Sequence, residues 1–103
     1  MRMLFKISLP VVETNAKMKD GTFGPTIHSI LEGMKPEAAY FAEDNGNRTA
    51  FIFVDVPTES DIPRLAEPWF LAFNAKLELH PAMSAEDLEK ADPGIEDAVK
   101  KYA

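Results

Sequence analysis

Two histidines are the only side chains of this chain that ordinarily change charge near neutral pH, and both are candidates for chemistry. His28 lies beside an apolar helical stripe, where it can reach a cleft between helix and sheet as a proton shuttle or haem ligand. The competing reading is a helix-flank side chain with no role. His80 ends an alternating segment, and Glu78 precedes it by two residues, so an extended chain projects both from one face. Together they can hold a ligand, but two groups are too few for a metal site, and a histidine that only fixes interface geometry is the alternative. Asp55 breaks an apolar run at the end of a strand. It can act as a general base if desolvation raises its pKa, or it can simply cap backbone N–H groups near the Thr58 turn. Arg48, at the other end of that strand, can bind a carboxylate substrate or face solvent as a hairpin-end residue. Tyr40, Trp69 and Phe70 are the aromatic candidates for the wall of a pocket, although helical spacing makes Trp69 and Phe70 core residues first.

Other chemistries find no footing. With no cysteine there is no disulfide, thiolate nucleophile or thiolate metal site. Asp44-Asn-Gly-Asn47 has oxygen donors without the spacing of a calcium loop, and Gly21-Thr-Phe-Gly24 is too short to cradle a phosphate. No paired carboxylates, Ser/His/Asp set or recognition helix appears. The sequence therefore assigns no catalytic residue, metal or cofactor; His28, Asp55 and His80 stand as catalytic candidates, and Tyr40, Trp69 and Phe70 as pocket candidates.

The elements that must position these residues form one domain, since 103 residues suffice for a single core. A net charge of -6 argues against a nucleic-acid partner, whose phosphates need concentrated Lys and Arg. The opening residues resemble the start of a signal peptide, but Lys6 interrupts the apolar run and no cleavage site follows. The run is also far below the ~18–20 residues of a membrane span. A first strand in a cytoplasmic protein, with no membrane partner, is the expectation.

Met3, Phe5, Ile7 and Leu9 alternate with Arg2, Leu4, Lys6 and Ser8, the period of a strand, which Pro10 ends. Val11 to Phe23 is ambiguous: helix-forming residues are punctuated by Asp20-Gly21 and Gly24-Pro25. Ile27, Ile30, Leu31 and Met34 then make a helical stripe, with Pro25 in the first turn. Glu37 to Glu43 reads as a second strand and Asn45-Gly46 as the φ-positive pair of a hairpin. The third strand is apolar without a break from Ala50 to Val54, the mark of a central strand with both faces to cover. Thr58 or Ser60 caps a helix carrying Ile62, Leu65, Ala66, Trp69, Phe70 and Phe73, bent at Pro68. Ala75 to His80 alternates as a fourth strand. Ser84 and Asp87 resemble a capping box for a short helix ending at Ala91; Asp92-Pro-Gly94 breaks it, and Ile95 to Tyr102 adds a final turn or two. Residues 85–103 are thus a helical C-terminal extension.

The order β-α-β-β-α-β is the ferredoxin-like arrangement, an α+β fold with two helices on one face of a four-stranded antiparallel sheet. The other face carries Arg2, Leu4, Lys6, Ser8, Lys76, Glu78, His80 and half of the apolar third strand. A homodimer that covers this greasy stripe is expected.

The opening Met-Leu-Phe strand, the strand ending Asp55-Val-Pro57, the Trp69-centred helix and the segment Ala75 to Ser84 resemble a group of small uncharacterised bacterial domains. That group is similar to the dimeric α/β-barrel superfamily, with Val11 to Gly24 departing from the usual long first helix. The resemblance implies a dimeric α/β barrel, two sheets packed face to face. The superfamily includes haem-degrading and cofactor-free monooxygenases and muconolactone-isomerase-like proteins. Two functions stay open: a homodimeric structural or ligand-binding domain, or a monooxygenase-like or isomerase-like enzyme. The enzyme would hold a small hydrophobic or aromatic substrate between sheet and helices, near His28, Tyr40, Asp55, Trp69 and Phe70.

Overall fold

The alternation of the first strand places it at the heart of the sheet. In the computed structural model, which describes residues 1–103, β1 (Arg2–Leu9) buries Met3, Phe5, Ile7 and Leu9 on one side. It is paired on both edges, antiparallel to β3 (Asn47–Asp55) and to β4 (Lys76–Pro81). β2 (Ala38–Asp44) adds to the far side of β3, giving the order β2-β3-β1-β4. The hairpin between β2 and β3 turns on Asn45 and Gly46, whose φ values of 52° and 79° are the positive pair that this turn requires.

Three helices cover one face of the sheet. The ambiguous stretch after Pro10 is a helix, α1 (Val11–Asp20), ended by Gly21 in the left-handed conformation. Asp20 accepts hydrogen bonds from the Thr22 N–H at 2.9 Å and the Thr22 hydroxyl at 2.6 Å, so the corner is tied. α2 (Phe23–Met34) starts two residues before Pro25 and turns Ile27, Ile30 and Met34 into the core. After a short 3-10 turn capped by Thr58 and Asp61, α3 (Ile62–Phe73) contributes Leu65, Ala66, Trp69 and Phe73. Pro68 lies inside α3 and gives up one N–H donor without ending it. Ala50, Ile52 and Val54 of β3 complete this core.

The β-α-β-β-α-β order with a four-stranded antiparallel sheet thus stands, with the first helix split in two. The dimeric α/β barrel does not. β2 and β4 are free edges, each paired on one side only, and the sheet remains open and uncurled. Closing a sheet requires strands that tilt and stagger until the edges pair, and edge strands of 7 and 6 residues separated by two long central ones do not do so.

The C-terminal segment also differs. α4 (Ala85–Lys90) begins at the capping box, with Asp87 N–H donating to Ser84 Oγ and Ser84 N–H to Asp87 Oδ2, both at 3.1 Å. Asp92-Pro-Gly94 does not interrupt the helical path; it opens α5 (Asp92–Tyr102), because a proline in the first helical turn has no N–H to lose there. Every residue of α5 is exposed. The radius of gyration is 17.2 Å, against about 13 Å for a compact chain of this length. The long axis reaches 59 Å, because this arm projects from the body.

Candidate functional site

The hairpin is longer than the helix layer that should cover it. Register pairs Glu43 with Arg48 and Phe41 with Ala50, so Phe41, Glu43 and Arg48 share the helix-side face with Leu9. Ala50 is fully buried beneath the helix layer, whereas Phe41 is left about half exposed. The gap is a cleft of about 560 Å³ walled by Leu9, Val11, Phe23 and Phe41. Its size falls in the range of small-molecule sites, roughly 300–1,000 Å³.

Local structure fixes each wall. Val11 is the first residue of α1 and Phe23 the first of α2, so the Gly21 corner sets their separation. Phe23 stands edge-on to Phe73 with ring centres 5.9 Å apart, and Phe73 stacks on Trp69 at 6.0 Å. Lys17 Nζ lies 5.5 Å from the centre of the Phe73 ring. The mouth is polar. Arg48 Nη1 donates to the neutral Asn15 Oδ1 at 2.9 Å. Glu43, directly across the ladder, instead accepts the Gly46 N–H at 2.7 Å, its carboxylate drawn into the turn. The Arg48 guanidinium therefore keeps most of its five donors, and its charge, for an incoming group.

The residues singled out by sequence lie elsewhere. His28 is on the outer side of α2, exposed and 3.0 Å from Glu32 one turn on. Trp69 is fully buried, its indole N–H donating to Met34 Sδ at 3.3 Å, whereas Phe70 and Tyr40 are exposed. Asp55 is exposed and pairs with the Met1 amino group at 2.9 Å, so nothing desolvates it. His80 and Glu78 do share a face, with Nε2 and Oε1 3.8 Å apart. β1 runs between Asp55 on β3 and His80 on β4, which puts roughly 10 Å between their strands. None of these six candidates lines the cleft. Arg48, read as a carboxylate binder or a hairpin end, does. What pointed to the rest was Phe41 beside Tyr40, adjacent aromatics that cannot both face one side of a strand.

The opposite face of the sheet has its own pattern. Leu4, Phe51 and Phe53 are half-buried in its middle, and Tyr40 is exposed beside them. Charges pair at the rim: Lys6 Nζ lies 2.8 Å from Asp44 and 3.5 Å from Glu78, and Arg2 contacts Glu37 at 2.8 Å and Asp87 at 3.3 Å. The Asp44 hydrogen bond leads in raising the Lys6 pKa, and the Glu37 hydrogen bond does the same for Arg2. No group of three or more His, Cys, Asp or Glu side chains is placed to hold a metal ion, and no helix is long and apolar enough to cross a membrane.

Sheet order and connectivity define a ferredoxin-like α+β protein. The chain is similar in structure to the de novo designed protein Ferredog-Diesel, at 9% identity and a TM-score of 0.46, over 79% of this chain and 85% of that one. The sequence matches no protein-family model and no curated protein.

Proposed function

We propose that this chain is a homodimeric ligand-binding domain that takes a small apolar carboxylate in the cleft beside Phe41 and associates through its open sheet face. The observation that carries the ligand reading is the pairing of apolar walls with a guanidinium that no carboxylate occupies. An aliphatic or aromatic tail would lie against Leu9, Val11, Phe23 and Phe41, and its carboxylate would meet the fork of Arg48. The apolar centre and paired-charge rim of the open face support association, because that is the anatomy of a protein interface. The enzyme alternative draws less support, since His28, Asp55 and His80 neither converge nor reach the cleft.

Titration with octanoate and benzoate, followed by amide and methyl NMR, tests the ligand reading. Shifts should concentrate at Leu9, Val11, Phe23, Phe41 and Arg48. Arg48→Gln should weaken octanoate about tenfold, equivalent to ~1.4 kcal/mol, and leave binding of neutral octanol unchanged. Shifts scattered over the surface, or equal loss for octanol, would reject it. Sedimentation at micromolar concentration tests association, with about twice the 11.5 kDa chain mass expected.

A further inference from the structure

Two apolar surfaces in this chain lack a partner, and they match. One is the centre of the open sheet face, Leu4, Phe51, Phe53 and Tyr40. The other is the α4–α5 arm, where Leu88, Ile95, Val99 and Tyr102 are all at least half exposed, Tyr102 at 85%. Ile95, Val99 and Tyr102 fall at i, i+4 and i+7, one stripe of a helix. An isolated helix of 11 residues is marginal in water and gains its stability from packing such a stripe. α5 packs principally against α4, itself a surface helix with no buried residue.

Resting on the homodimer reading above, we infer that the arms are exchanged: α5 of each chain lies across the open sheet face of a second copy. Dimensions favour this. A helix of 11 residues is about 16 Å long at 1.5 Å per residue, and four strands about 4.8 Å apart span roughly 14 Å. Tyr102, Val99 and Ile95 can thus each meet a different strand. The root of the arm is already anchored at the rim of this face, through the Arg2–Asp87 pair and the Ala82 N–H donating to the Arg2 carbonyl at 3.1 Å. From that root the arm runs on with no residue buried against its own chain, which leaves its apolar stripe open to a neighbour. Exchange also makes modest surfaces sufficient. A specific dimer buries on the order of 1,200–2,000 Å² in total; two arms and two faces divide that into about 300–500 Å² each. The arrangement is isologous and closes at two copies.

The experiment compares sedimentation of the full chain with that of a chain ending at Ala91. All 16 core residues lie between Met3 and Ala75, and α5 buries none, so the truncation leaves the fold intact; its amide spectrum checks this. The expected result is a dimer that becomes a monomer on truncation, and a full-length Val99→Asp chain whose dimer dissociates at least tenfold more readily. In a mixed sample of labelled and unlabelled chains, nuclear Overhauser contacts should join Tyr102 and Val99 of one copy to Phe51 and Phe53 of the other. A truncated chain that remains a dimer overturns the exchange and leaves the homodimer standing. A monomeric full chain overturns both, and intramolecular contacts between Tyr102 and Phe51 would identify an arm folded on its own sheet.

Discussion

The indole N–H of Trp69 donates to the thioether of Met34, 3.3 Å away, and joins α3 to the end of α2 inside the core. Both side chains are buried, so the sulfur is what satisfies a donor that water cannot reach. Met34→Leu conserves volume, which alone costs under about 1.5 kcal/mol. It also orphans the indole, and an unsatisfied buried donor costs about 1–3 kcal/mol. Since sulfur is a weak acceptor, the expected loss is about 1–2 kcal/mol in urea unfolding. Trp69→Phe beforehand should shrink the effect of Met34→Leu, because the donor is then gone; an unchanged effect would show that packing alone sets it.

The path of the chain was legible where a period was long enough to count. The alternating first and fourth strands, the unbroken apolar run of the third, the Ile27–Met34 stripe and the Asn45-Gly46 turn all predict what is observed. Two places were not legible, for one reason: proline and glycine were weighed as breakers without their position in the helix. Gly21 ends α1 instead of interrupting it, and Pro93 lies in a first turn, as Pro25 does, where the missing N–H costs nothing, so α5 begins ahead of it. The site was less legible still. Phe41, Leu9, Val11 and Phe23 come from four different elements, and what makes them a cleft is a mismatch of reach between hairpin and helix layer. Sequence periodicity carries no such information. It found the Trp69 stripe instead, whose aromatic mass is already used in the core.

The hairpin turn should discriminate sharply between glycines. Gly46 sits at φ 79°, and a Cβ there carries the left-handed penalty of about 1–2 kcal/mol. Gly33 lies in α2, where a methyl group on its Cα would meet only open space, and alanine should gain about 0.5–1 kcal/mol there. Thermal melts of Gly46→Ala and Gly33→Ala should therefore move in opposite directions. Gly46→Ala should also disturb the Glu43 hydrogen bond and with it the mouth of the cleft.

Acid should loosen the root of the arm. The Ser84 N–H, the Ser84 hydroxyl and the nearby Arg2 hold the Asp87 carboxyl below its ordinary value of 3.8. A carboxyl lowered by folding adds stability that is present above its ordinary pKa and lost as pH falls through the folded value. Glu37, held down chiefly by Arg2, behaves alike. Arg2 itself is raised, so its part is lost only in strong alkali and does not enter this window. As pH falls below the ordinary carboxyl value of 3.8 and through the lower folded one, α4 should lose its cap while the core persists. Carbon-detected NMR of Asp87 should give a midpoint under 3.8; a midpoint at or above it would mean that the capping box does not persist in solution.

Thr14 carries the last prediction. It is the buried residue of α1, and its hydroxyl has no hydrogen-bond partner. Its own N–H is satisfied by the Pro10 carbonyl at 3.0 Å, so only the hydroxyl is stranded. Burying an unpaired hydroxyl costs about 1–3 kcal/mol on protein mutational scales. Valine has nearly the same shape and no polar atom, and a β-branched residue is already accommodated at this point of the helix. Thr14→Val should raise stability by about 1 kcal/mol, measured as a higher urea midpoint at constant slope. Thr14→Ser keeps the stranded hydroxyl, removes a methyl group and should be destabilising. If valine lowered the midpoint instead, the hydroxyl would have a partner in solution, and an ordered water between α1 and the sheet would be the group to look for.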